Sequence, residues 1–107
     1  RLMMMVSCLA PSGDTLRFYN THLDHHLNDS DRPQQMQVIV NHLYAKEGKV
    51  FLAGDFNCDQ SSETLLQLEG ILERSESEVL TYPSDKPART IDHIFYSANS
   101  GIKLGEV

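Results

Sequence analysis

The sequence predicts an α/β fold in which a mixed sheet is covered by helices. Short apolar runs bounded by turn residues mark the strands, and one amphipathic stripe marks a helix. The elements follow one another as strand-strand-helix-strand-helix-strand, with no internal repeat and no low-complexity segment. A chain of 107 residues can bury roughly two-thirds of its unfolded surface, enough for a real core.

Residues 2–9 are a continuous apolar run interrupted only by Ser7 and Cys8, short enough for a strand buried on both faces. Pro11-Ser12-Gly13-Asp14 is a turn cluster, and residues 16–20 resume a strand, so the pair reads as an antiparallel hairpin. The second strand ends at Thr21-His22-Leu23-Asp24, and residues 25–31 read as a polar loop. Asp31 suits a helix N-cap, with Pro33 in the first turn where its missing N–H is harmless. Met36, Ile39, Val40, Leu43 and Tyr44 then recur at i, i+3, i+4, i+7 and i+8, and Gly48 is placed to stop the helix. Residues 50–53 read as a short buried strand that breaks at Gly54. Ser61 or Ser62 can cap a second helix through Leu65, Leu66 and Leu68, ending near Gly70. Residues 75–78 form a polar loop, and residues 81–87 are turn-rich. Residues 90–97 read as a strand, and residues 102–107 as the start of another.

Composition narrows the function. The apolar fraction of 40% and charged fraction of 22% are ordinary for a globular domain. No apolar run approaches the ~20 residues that cross a bilayer, so no membrane span is expected. Net charge is −6, with nine basic residues against fifteen acidic, which argues against a broad nucleic-acid footprint. A nucleotide or a short phosphodiester held by a few groups stays open. Glu69, Glu73, Glu76 and Glu78 read as a solvated helix end and loop. Cys8 and Cys58 are too few for a disulfide framework and lack metal-site spacing, so free, strand-buried thiols are expected. The chain opens on Arg1, and further sequence is expected before it.

Chemistry concentrates in three short segments. Gly54-Asp55-Phe56-Asn57 closes a buried strand, where alternation would aim Asp55 and Asn57 one way and Phe56 the other. Phe56 can then anchor the core while a carboxylate and an amide converge, and Gly54 permits close approach of backbone or ligand. A carboxylate can orient and deprotonate a water, and an amide N–H can bind a phosphoryl oxygen. Taken alone, the same four residues also make a serviceable strand-to-turn sequence.

The second segment is Asn20-Thr21-His22-Leu23-Asp24-His25-His26. A strand-end histidine such as His22 can donate to a phosphoryl oxygen as charge builds, whereas His25 and His26 enter a loop and read as plain polar residues. The third is Ile91-Asp92-His93-Ile94-Phe95, in which Ile91, His93 and Phe95 share one face and Asp92 and Ile94 the other. An aspartate there can hold a neighbouring histidine in one tautomer, or simply accept backbone hydrogen bonds.

Taken in order, Asn-Thr-His-Leu-Asp, an Arg-x-x-Gln helix (Arg32, Gln35), Gly-Asp-Phe-Asn and Ile-Asp-His-Ile-Phe resemble the endonuclease/exonuclease/phosphatase superfamily. That superfamily contains deoxyribonuclease-I-like nucleases, abasic-site endonucleases, sphingomyelinases and inositol-phosphate phosphatases. The resemblance spans residues 18–97 and implies a partial α/β sandwich, largely antiparallel, roughly the C-terminal half of a four-layer sandwich.

It also implies roles. His22 would bind phosphate and stabilise the transition state, Asp55 would orient or deprotonate the attacking water, and Asn57 would position phosphate and water. Asp92 would pair with a catalytic histidine that the family carries in a Ser-Asp-His motif, which the chain does not reach before Val107. The family's upstream Asn and metal-binding Glu are expected before Arg1, which makes residues 1–107 a single incomplete domain. His93 stands where the family usually has Tyr or another residue, and facing away from Asp92 it is expected to pack.

The implied reaction is water attack on phosphorus with Mg²⁺ (or Mn²⁺), for which Asp55 and Asn57 are the candidate ligands in this chain. Without the principal Glu the piece should bind metal weakly and show no appreciable turnover alone. The expected partner is a phosphoester: nucleic acid, nucleotide, phospholipid head group or sugar phosphate. The acidic balance leans toward a small phosphoester over duplex DNA.

Rival readings are weaker. Asp24-His25-His26 spells the motif of the DHH phosphoesterases, but the contexts of Asp55 and Asp92 match that family poorly. The metallo-β-lactamase pattern His-x-His-x-Asp-His fails on spacing from His22. A non-catalytic fragment or binding module is the alternative of a different class, since half a sandwich should expose an apolar sheet face. In the segment Thr81-Tyr82-Pro83-Ser84, Tyr82 is either near the substrate or, more simply, part of a plain turn.

Overall fold

The computed structural model describes residues 3–23, 31–44, 48–75, 79–98, 101–103 and 105. Strands β1 (Met3–Leu9) and β2 (Thr15–His22) form the expected antiparallel hairpin. Its turn is closed by Gly13 N–H donating to the Ala10 carbonyl at 2.9 Å, with Gly13 at φ 92°, a conformation that needs no Cβ. Helix α1 (Asp31–Tyr44) follows, and its crossover lets β3 (Lys49–Asp55) run parallel to β2. The chain continues through a single helical turn α2 (Glu63–Leu66), a short β4 (Leu72–Arg74) and β5 (Asp92–Ser97). β5 lies antiparallel between β3 and β4, giving one mixed, largely antiparallel sheet in the order β1-β2-β3-β5-β4.

The core lies on one face of that sheet. Tyr19, Leu52 and Phe95 alternate inward from β2, β3 and β5, and the α1 stripe of Met36, Ile39 and Leu43 joins them in one buried cluster. Tyr44, at the end of the predicted stripe, is exposed. Ser62 rather than Ser61 caps α2, its hydroxyl accepting from Leu65 N–H at 3.4 Å. Beyond Leu66 the predicted second helix gives way to a turn that runs through Gly70 to Ile71.

The opposite face carries Met4, Val6, Phe18, Phe51 and Ile94, and no described helix covers it. Met4 is 69% exposed and Ile94 55% exposed, while Phe18 and Phe51 stack on each other at 4.9 Å. This is the open apolar face expected of a partial sandwich.

Three sequence expectations need correction. The first strand is not buried on both faces: among the described residues β1 is the sheet's edge with β2 as its one neighbour, and Val6 is 56% exposed. Cys8 is therefore exposed with it, while Cys58 is buried as expected. β4 was not anticipated, because Leu-Glu-Arg is three residues long with no β-branched or aromatic side chain. The described residues 101–103 and 105 form no strand, and the segment containing Asp24, His25 and His26 lies outside the described residues.

Leu52 is fully buried at the centre of the sheet. Leu52→Ala should cost about 2–5 kcal/mol, whereas Met4→Ala on the open face should stay within about 0.5 kcal/mol. Chemical denaturation midpoints of the two variants check the contrast.

Candidate active site

The register of the sheet brings the three chemical segments together. His22 ends β2 and pairs with Asp55, the last residue of β3, which in turn pairs with Asp92, the first residue of β5. Directly paired residues point to the same face, so the three side chains form one rung across three strands. His22 Nε2 lies 3.5 Å from Asp55 Oδ2. A cavity of about 610 Å³ opens over the rung, walled also by Asn20, Thr81 and Thr90.

Local sequence explains why the rung is level. Gly54 is registered against Thr21, and a Cβ at Gly54 would overlap the Thr21 carbonyl oxygen, so the parallel strands can close only on glycine. The close approach inferred from the sequence is thus one of backbone to backbone. Past the rung the ladder continues, with Leu23 N–H donating to the Asp55 carbonyl and Phe56 N–H to the Ile91 carbonyl, each at 2.9 Å. Phe56 is fully buried, as predicted, and meets Phe95 edge-on at 5.5 Å.

Asn57 is placed differently from the strand expectation. β3 stops at Asp55, and Asn57 takes a left-handed φ of 53°, which asparagine tolerates better than most residues. A turn rather than the pleat therefore sets its direction. Its backbone N–H donates to Asp55 Oδ1 at 2.9 Å, and its Nδ2 donates to the Leu23 carbonyl at 2.7 Å. Asn57 is not among the residues that wall the cavity, and its backbone N–H fixes one oxygen of the Asp55 carboxylate.

Asp92 is exposed, and its carboxylate has no hydrogen-bond or ion-pair partner among the described residues. Its backbone is held instead: the Thr81 hydroxyl accepts from Ile91 N–H at 3.1 Å and from Asp92 N–H at 3.3 Å. His93 turns to the opposite face, as predicted, and is buried. A carbonyl can only accept, so His93 Nε2 carries a proton and donates to the Cys58 carbonyl at 2.9 Å. Nδ1 is then a bare buried acceptor without a partner among the described residues. Burial holds the His93 pKa below its usual 6.5, partly opposed by the Cys58 bond. Burial likewise raises the Cys58 thiol.

The turn-rich segment draws the eye to Tyr82, yet Tyr82 is exposed and outside the cavity wall, while its neighbour Thr81 forms part of it. Thr81 N–H and Tyr82 N–H donate to the Arg89 carbonyl, and Ala88 N–H and Arg89 N–H to the Tyr82 carbonyl, which makes this segment a small hairpin bridged between Tyr82 and Arg89.

Metal-binding capacity is partial. Among the described residues no group of three or more His, Cys, Asp or Glu side chains could hold an ion. Among the described residues no backbone N–H binds Asp55 Oδ2 or Asn57 Oδ1, hard donors that suit a Mg²⁺-like cation but supply two ligands of about six.

The model of the Endonuclease/Exonuclease/phosphatase family matches residues 5–104. The chain belongs to that family. Its fold is shared by solved family structures: a D. rerio TDP2 humanised by 14 mutations (TM-score 0.70, 20% identity, 94% of this chain and 46% of that one). A mannosyl-6-phosphatase of Bacteroides thetaiotaomicron matches at TM-score 0.65 and 23% identity, over 82% of this chain and 39% of that one. The human Nocturnin catalytic domain, solved with bound sulfate, matches at 0.63 and 20%, over 89% and 40%. At these identities the likeness speaks for the fold alone. No curated protein matches the chain. The chain spans less than half the length of each of these structures.

Two outcomes follow from the rung and its underside. Asp55 and Asp92 are like charges opposed across neighbouring strands, so Asp92→Asn should stabilise the fold by about 0.2–1 kcal/mol, read as a raised unfolding midpoint. His93 takes up its proton at a lower pH when folded than its usual 6.5. Below that pH the unfolded chain binds more protons, so stability should fall as pH drops from 7 toward 5. His93→Gln should make that decline shallower in denaturation midpoints measured across the range.

Proposed function

We propose that the protein is a metal-dependent phosphoric ester hydrolase that directs water at phosphorus. The observation that carries this reading is the single rung of His22, Asp55 and Asp92 beside one cavity. Asp55 is the proton acceptor: its Oδ1 is fixed by the Asn57 N–H, and its Oδ2, 3.5 Å from His22 Nε2, orients and deprotonates the attacking water. His22, half-exposed at the strand end, donates from its ring to a phosphoryl oxygen as negative charge develops. Asn57 has one Nδ2 proton on Leu23, which leaves the second for phosphate or water. Asp92, unpaired among the described residues, is free to orient a catalytic histidine, the role that the family resemblance implies for it. Asp55 and Asn57 would hold Mg²⁺ (or Mn²⁺), which when bound neutralises phosphoryl charge and the leaving oxygen.

Two oxygen ligands are a weak metal site, so we infer that residues 1–107 alone turn over no substrate appreciably. The substrate is a phosphoester, with the chain's net charge of −6 favouring a small one over duplex DNA. The named activity of the Bacteroides relative, a mannosyl-6-phosphatase, is consistent with a sugar phosphate among the candidates.

The test compares the full-length protein with the 107-residue chain on an activated phosphodiester and an activated phosphomonoester, with and without Mg²⁺. The full-length protein should show Mg²⁺-dependent turnover that falls about 10²–10⁴-fold on His22→Ala or Asp55→Ala. Turnover indifferent to both substitutions would remove the site. Turnover by the chain alone, lost on Asp55→Ala, would remove the claim that it is inactive.

A further inference from the structure

We propose that Thr81 is a positioning residue for Asp92. The inference rests on the hydrolase reading above and adds a residue that none of the recognised motifs contains. Asp92 is the first residue of β5, and two groups hold the chain just before it. On the carbonyl side, Ile91 accepts from Phe56 N–H at 2.9 Å. On the amide side, the Thr81 hydroxyl takes both Ile91 N–H at 3.1 Å and Asp92 N–H at 3.3 Å.

A hydroxyl has two acceptor sites, and these two amides use both. The Thr81 backbone is fixed in turn, its N–H donating to the Arg89 carbonyl at 2.8 Å, and Thr90 Oγ1 clasps the same two strands by donating to the Val79 carbonyl at 2.9 Å. The small hairpin of residues 79–91 therefore holds the start of β5 through one oxygen atom. That oxygen sets where the Asp92 carboxylate stands along the rung, opposite a like charge on Asp55 that pushes it away.

The inference predicts a specific pattern in the full-length protein. Thr81→Val keeps the shape and removes the oxygen, and should lower kcat about tenfold to a hundredfold with KM changed little. Thr81→Ser keeps both acceptor sites and should restore most of the rate. Because Thr81 acts through Asp92, Thr81→Val should cost almost nothing further in an Asp92→Asn background. A residue that merely held the hairpin together would cost the same factor in both backgrounds.

An equal cost in both backgrounds, or a Thr81→Val enzyme at the parent rate, overturns the role of Thr81 and leaves the hydrolase reading intact. An Asp92→Asn enzyme at the parent rate overturns the role of Thr81 together with the role given to Asp92, and leaves the hydrolase reading to the tests on His22 and Asp55. If the full-length protein hydrolyses no phosphoester, the hydrolase reading fails by itself, and amide hydrogen exchange decides the anchoring of β5. Exchange at Ile91 and Asp92 should then quicken about tenfold or more in Thr81→Val while Leu52 and Phe95 stay protected, and unchanged exchange at Ile91 and Asp92 overturns the inference.

Discussion

At Gly54 the backbones of β2 and β3 approach more closely than any side chain would permit, and the Thr21 carbonyl occupies the space where a Cβ would stand. That contact fixes the parallel register, and the register fixes the site. A slip of one residue would turn every side chain of a strand to the other face, carrying His22 or Asp55 into the core and Tyr19 or Leu52 into solvent. The buried cluster on the inner face and the polar rung on the outer face are two consequences of one alignment. Phe56 secures it from below, since it is fully buried immediately after Asp55 and leaves the carboxylate no freedom to follow the chain inward.

Much of this arrangement is legible in the sequence because it depends on periodicity and on residues with narrow uses. The α1 stripe, the β1-β2 hairpin and the alternation of Asp92 against His93 follow from spacing alone, and the order of the three motifs points to the family. What sequence reading misses depends on partners remote in the chain. β1 looks like an interior strand because its residues are apolar, but its exposure is decided by its place at the edge of the sheet. β4 is a strand only because β5 lies beside it. Asn57 departs from strand alternation because the pleat ends at Asp55 and a left-handed turn begins, a change of backbone state within two residues. The segment Thr81-Tyr82-Pro83-Ser84 stands out in sequence only as a turn that points to Tyr82, whereas Thr81 matters through amides ten and eleven residues away.

The outer face combines two features that work against folded stability. Apolar side chains of β1, β2, β3 and β5 remain in water, and two carboxylates oppose each other at one end of the same face. Both are costs in the isolated chain, and both lie on the face of the sheet that carries the candidate site. The buried side is the reverse case, where burial lowers the His93 pKa and the ring donates a hydrogen bond to the Cys58 carbonyl.

The most direct test of the single rung is a titration of the isotopically labelled chain with Mn²⁺, followed by paramagnetic broadening of its amide signals. If His22, Asp55 and Asp92 share one site, broadening should begin together at the ends of β2 and β3 and the start of β5, with residues 55–57 strongest. Broadening that begins instead at the exposed acids Glu63, Glu69 and Glu73, or that affects one strand end without the other two, would contradict a site assembled across the three strands.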